Sequence, residues 1–305
     1  MRLARLPAAL AAFFLLAPAP PVSASSLIDR IYDVSTAEAI SRADLVEALA
    51  QADLVILGEH HDNADAHRWQ AALVAELDAA RGVTGLAFEM FGPDREEAAN
   101  AKRAAGAPVA SLEPVLGWEN WPDFAMYAPI FEAAPRARLT GGALPRGDLM
   151  RLAGAPEDWP GAERFGVTRP LPEAEQTQRE AEQAAAHCDM LPEEMLPAMV
   201  SVQQLRDASF AEALLRARRD EGEGGGAAVL ITGNGHARVD RGAPRMLRRA
   251  APGMLTLSVG ILELTPAEAR RRYAALFDTA PPYDFVIFTP SVDRGDPCEA
   301  FRQQG

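Results

Sequence analysis

The sequence predicts an α/β fold: a mostly parallel central sheet flanked by helices, with a helix-rich middle segment. Two observations carry that expectation. Short β-rich apolar runs stopped by glycine or a polar residue alternate with helical stretches of roughly 10–20 residues, the pattern of strand–helix–strand units. The chain is also long enough, at 305 residues with 48% hydrophobic and 24% charged, to bury a full core without a metal or a disulfide framework.

Residues 1–24 read as a cleavable signal peptide. Arg2 and Arg5 start it, residues 6–17 are apolar but too short to span a membrane, and Val22-Ser23-Ala24 sets small residues before a cleavage point at Ser25. A disordered Ala/Pro tail is the alternative. No cysteine lies near Ala24, so a lipid anchor is not expected. Residues 25–305 then form a single soluble α/β domain, secreted to an oxidising compartment such as the periplasm.

Within that domain, residues 53–58 read as a buried strand. Asp62 or Asn63 caps a helix to Arg81 with Ala66, Trp69, Leu73 and Leu77 on its apolar face. Residues 83–89 form a second strand, and Pro93 opens a helix whose first turn carries Asp94, Glu96 and Glu97. An aromatic stretch follows, Trp118, Trp121, Phe124, Tyr127 and Phe131, helical from Asp123. Residues 136–140 suit a short strand. The Pro- and Gly-rich 155–172 reads as an irregular surface crossing, and 173–187 and 192–221 as helices. Residues 155–221 together read as a helical subdomain, with Met190, Met195 and Met199 assigned to core. "GEGGG" at 222–226 is a flexible break. Strands at 227–232, 254–264 (bent at Gly260) and 283–289 close the pattern, with helices at 239–250 and 266–277 between them.

The net charge is −13 and the pI near 4.9. That argues against a phosphate-neutralising nucleic-acid surface and disfavours a basic face for anionic lipid. Cys188 and Cys298 either pair or remain buried thiols; an oxidising compartment and the polar tail around Pro297 favour pairing.

Three expected strands end in similar polar residues: Glu59-His60-His61, then Glu89, then Asn234-Gly235-His236. Open α/β sheets gather functional groups beyond the carboxyl ends of their strands. If the three strands are parallel neighbours, Glu59, His60, Glu89 and His236 converge on one cleft. Such a cluster suits general acid–base work or a divalent metal, with His60, His61 and His236 as candidate ligands. The plain alternative is helix capping with polar loop histidines. His61 and His67 are expected in supporting roles. No phosphate-binding glycine loop, serine elbow or Cys-x-x-Cys pair occurs. The aromatic stretch is either core packing or the wall of a flat apolar ligand.

"LVILGEHHDNADAHRWQ", "LAFEMF", "LGWENWPDFAMYAPIF", "HCDMLPEEMLPAMVSVQQLRDASFAEALL", "VLITGNGHARVDRGAPRMLRR", "LSVGILEL" and "DPCEAFR" together resemble the ChaN-like haem-binding family, within a wider grouping that includes Tiki proteases and erythromycin esterases. The resemblance spans residues 26–302. It implies an α/β fold and a periplasmic or surface haem-binding role in bacterial iron uptake, with a possible homodimer and an outer-membrane uptake system as partners. It implies haem as ligand but assigns no iron ligand by motif; the phenol of Tyr127, in the aromatic stretch with Trp118 and Trp121, is the candidate iron ligand by its chemistry. "HC…LP" with "DPC" also supports the Cys188–Cys298 pair. Two departures stand out. The lipidation cysteine is absent, and "GALPR" at 142–146 replaces the family's frequent "ANLPR". The competing function is hydrolysis by the Glu59, His60, Glu89 and His236 cluster, esterase- or peptidase-like and metal-dependent or not.

Overall fold

The computed structural model describes residues 26–119, 121–218, 225–277, 279–296 and 298–299. The expected signal peptide lies outside these residues, as does most of the 222–226 break.

Eight strands form one sheet: β1 (Ile31–Asp33), β2 (Glu38–Ile40), β3 (Leu54–Glu59), β4 (Val83–Phe88), β5 (Arg138–Gly141), β6 (Ala227–Gly233), β7 (Thr256–Leu264) and β8 (Phe285–Pro290). Their order is β2-β1-β8-β7-β3-β6-β4-β5. From β8 to β5 every pair is parallel. Only β1 runs antiparallel, to β8 and to β2. The fold class is therefore the mostly parallel α/β sheet that the sequence predicts.

β3 and β6 are buried along their whole length, as parallel strands covered on both faces are. Alternate residues feed two cores. Val55 and Leu57 face the helices Ala64–Ala80 and Phe124–Ala133. Leu54 and Ile56 face the side that carries the helices Arg146–Gly154, Leu196–Ala217 and Ala243–Ala250. Gly85 of β4 permits the close approach of the long helix: a Cβ there would sit 2.5 Å from the Ala217 carbonyl oxygen.

Two asparagines fasten the strand ends. Asn63 caps the helix Ala64–Ala80 by accepting from the Asp65 and Ala66 amides. Its own amide nitrogen donates to Glu263, Thr289 and the Pro290 carbonyl, so one side chain starts a helix and ties it to β7 and β8. Asn234 acts as a false strand residue beyond the β3–β7 ladder, which ends at Leu57 opposite Val259. Its side chain accepts from the Ile261 amide at 3.1 Å and donates to the Ile261 carbonyl at 2.6 Å.

Four expectations need correction. The hairpin β1–β2 is unforeseen; its strands are only three residues long. Residues 266–277 hold two 3₁₀ turns, Glu268–Arg270 and Tyr273–Ala275, rather than one helix. Arg271 is extended between them, and Tyr273 is drawn into a stack on Tyr32 with ring centroids 4.2 Å apart. Residues 155–172 are not a surface crossing, because Trp159, Ala162, Phe165 and Val167 are buried in the second core. Met190 and Met195 are exposed, not core. The Cys188–Cys298 disulfide is formed, joining the end of the helix Glu173–Ala186 to the C-terminal tail. Among the described residues no helix is long and apolar enough to cross a membrane.

Two stability effects follow and are read by thermal melts. Gly85→Ala forces β4 away from the long helix and should cost about 1–3 kcal/mol. Reducing the disulfide, whose partners are 110 residues apart, should cost about 2–4 kcal/mol.

Candidate functional site

β6 lies between β3 and β4, and this adjacency builds the site. Glu59 stands opposite Gly233 and Phe88 opposite Ile231. The residues that leave the three strands therefore emerge side by side at one edge of the sheet. Glu59 and Glu89 are 2% and 5% exposed.

Around Glu59, Tyr127 donates its hydroxyl to Oε1 at 2.8 Å and His61 donates Nδ1–H to the same oxygen at 2.7 Å. Nδ1 of His67 lies 3.1 Å from the other oxygen, Oε2. Both nitrogens of His67 face acceptors, since Nε2 meets the His61 carbonyl and Nδ1 also meets Gln70 Oε1. Gln70 is fixed in that sense by donating its amide to the Leu57 and Gly58 carbonyls. His67 is therefore a buried imidazolium, the counter-ion of Glu59.

Glu89 is held by Thr232 Oγ1 at 2.7 Å and the Gly233 amide at 2.9 Å, both on Oε2. Its Oε1 faces His61 Nε2 at 3.9 Å and His236 Nε2 at 3.8 Å. Nδ1 of His236 bonds Asp207 at 2.7 Å. The result is a row of alternating carboxylates and imidazoles: Asp207, His236, Glu89, His61, Glu59, His67.

Of the residues expected from sequence, Glu59, Glu89 and His236 come together. His60 does not: it is exposed and its charged surroundings are Glu263, Asp62 and Arg294. His61 takes the place expected for it, and His67 supports from the core. Among the described residues no group of three His, Cys, Asp or Glu side chains is arranged to hold a metal ion. Tyr127, the candidate iron ligand, lies inside the site. It is 0% exposed and its hydroxyl is committed to Glu59. Burial and the nearby Glu59 push its phenol far above the ordinary range, so the phenolate that ferric iron takes is disfavoured. Trp118 is core: its Nε1 donates to the Pro122 carbonyl, and its ring meets Phe124, Tyr127 and Phe131. Trp121 is partly exposed and meets the His61 ring at 5.0 Å. Asp207 went unforeseen. Its only signal is position: it falls seven residues from both Val200 and Leu214, an acid on the buried stripe of the long helix.

The model of the family described as haem-binding uptake, Tiki superfamily, ChaN matches residues 45–247. The chain belongs to this ChaN haem-binding family. The matched span contains all six members of the ChaN-family chain's alternating row. The solved structure of ChaN from Campylobacter jejuni, described as cofacial haem binding, is similar at a TM-score of 0.62 with 18% identity, covering 84% of this chain and 95% of that one. At that identity the likeness establishes the fold alone. A type III effector, HopBA1, covers 90% of this chain and 100% of its own at 13% identity and a TM-score of 0.42. An erythromycin esterase in its open conformation covers 87% and 82% at 15% identity and 0.38. These two scores carry no argument. No curated protein matches the sequence.

Electrostatics in this ChaN-family site favour a charged row. Desolvation alone would raise Glu59, but the bonds from His61 and His67 outweigh it and bring the carboxyl down to about 2. Desolvation would lower His61, His67 and His236; the adjacent carboxylates outweigh it and raise all three above 6.5. Glu89 is lowered against its desolvation by His236 and His61, whereas desolvation prevails at Asp207 and raises it.

The depressed Glu59 stabilises the fold fully above its ordinary 4.5 and ceases to do so as pH falls toward about 2, an effect of about 3 kcal/mol. The raised histidines act oppositely: their contribution is full below 6.5 and is lost as pH rises through their folded values. Tm should therefore be highest between about pH 4.5 and 6.5. In Glu59→Gln both limbs of the Tm–pH curve should flatten; an unchanged curve would show that Glu59 does not govern it.

Proposed function

We propose that this protein is a periplasmic haem-binding protein of bacterial iron uptake, exported by the signal peptide at residues 1–24. The observation that carries the reading is the ChaN family match, whose span holds the whole strand-end row. Residues 25–305 act as one domain, with 155–221 as its helical part.

In this reading His61 is the iron ligand, in place of Tyr127. Its side chain is 33% exposed, the most open imidazole of the row. Its Nδ1–H is fixed by Glu59, and a carboxylate on the far nitrogen is the usual way a metal-binding imidazole is oriented. Trp121, beside it, offers an aromatic edge for a flat macrocycle. Bound haem would supply a ferric centre, and the imidazole of His61 would hold it. Tyr127, Glu59 and His67 position that imidazole, and Trp118 packs beneath them. A homodimer and an outer-membrane uptake system are the partners this reading entails. Hydrolysis by Glu59, Glu89 and His236 rests on the same row but has no support from the family, and it is the less favoured use of the site.

Haemin added to the pure protein should give a shifted Soret band. His61→Ala should weaken binding about 10–100-fold or more, and Glu59→Gln by a comparable factor through loss of ligand orientation. Tyr127→Phe should leave the spectrum of bound haem unchanged. Since a proton and iron compete for His61 Nε2, and that histidine is raised above 6.5, affinity should fall as pH drops through neutrality and recover on the alkaline side. A flat pH profile, or full binding by His61→Ala, rejects the assignment.

A further inference from the structure

On the other side of His236 a cavity of about 250 Å³ opens between the helix Glu173–Ala186, the long helix and the turn after β6. Arg179, Gln183, Asp207, Gly235, His236 and Arg241 line it. Arg179 is the only buried residue of the helix Glu173–Ala186, at 5% exposure. A buried guanidinium is costly unless its N–H groups are matched.

They are only partly matched here. Glu175 Oε1 pairs with Nη2 at 2.7 Å, and the same oxygen receives a hydrogen bond from Arg245, so Glu175 is shared between two arginines and, among the described residues, Nε is left without an acceptor. Nε and Nη2 form one edge of the guanidinium, the fork that pairs with a carboxylate through two parallel bonds. One helical turn on, the buried Gln183 Oε1 also lacks a partner. The acids on the cavity wall are already engaged: Asp207 with His236 and Glu182 with Arg241.

We propose that this cavity is a subsite for the carboxylate of a bound ligand, gripped by the Nε–Nη2 edge of Arg179 beside His236. A planar monoanion fits because Nε has no acceptor and Nη2 meets only a Glu175 oxygen shared with Arg245, while Glu182 and Asp207 would repel a second negative charge. The volume is below the roughly 300–1,000 Å³ of pockets that enclose a drug-sized ligand, so it takes a small acid or one arm of a larger molecule. Two sources offer that group: a haem propionate, on the reading above, or a free organic acid.

Calorimetric titration of the intact oxidised protein with benzoate and with benzamide tests the subsite, and haemin against its dimethyl ester tests the source. We expect saturable binding of benzoate and none of benzamide. Arg179→Met should abolish it. Arg179→Lys, which keeps the charge but loses the fork, should weaken it about tenfold or more with Tm unchanged. A preference for haemin over the diester that disappears in Arg179→Lys assigns the carboxylate to the propionate. Benzoate binding without that preference, or without any haemin binding, assigns it to a free acid and leaves the subsite standing. Benzoate bound equally by wild type and Arg179→Met would overturn the proposal. So would no benzoate binding together with equal affinity for haemin and its diester. In either case Arg179 would serve only to pin its helix through Glu175.

Discussion

A carboxylate buried at the end of β3 sets the conditions for its surroundings. An ionised Glu59 out of contact with water is tolerable only if charge and hydrogen bonds meet it from several sides, and three elements supply them. The loop after β3 returns His61, the helix Ala64–Ala80 supplies His67, and the helix Phe124–Ala133 supplies Tyr127. Each contributor is itself fixed. Gln70 locks His67, and Trp118 packs on Tyr127 with ring centroids 4.9 Å apart. The aromatic segment is therefore core in its packing, yet its placement decides how firmly the strand-end acid is held.

The row divides into two halves with different surroundings. On the Glu59 side, aromatic rings exclude water, and Tyr127 and His67 are closed off from solvent. On the Glu89 side, the hydrogen bonds come from Thr232 and the Gly233 backbone, and His236 looks into a cavity with charged walls. His61 stands between the halves and is open to both.

The six parallel strands were legible because fully buried strands are continuous apolar runs, and their ends set the convergence of Glu59, Glu89 and His236. The choice of His60 over His61 was an error that the turn after β3 corrects. Both histidines lie beyond β3, which ends at Glu59, in a turn closed by the Asn63 amide on the His60 carbonyl, and the path of that turn returns His61 rather than His60 to Glu59. Asp207 was hidden because a helix shows an isolated acid on its apolar stripe without showing its partner, which is 29 residues further on. The turns at 266–277 were misread because helical propensity is local, whereas the pull of Tyr273 onto Tyr32 comes from a strand far away in sequence. Tyr127 could be found as an unusual phenol, but its hydrogen-bond acceptor depended on how two helices pack.

The short hairpin at the start of the domain has a further consequence. By running antiparallel along β8, β1 hides the backbone of a six-residue hydrophobic strand that would otherwise border solvent. The sheet then terminates in β2, of three residues, and β5, of four. Borders that short offer an incoming chain few backbone groups to pair with, which discourages edge-to-edge aggregation. A protein whose centre is a stack of long apolar parallel strands is in this way bounded by two of its shortest.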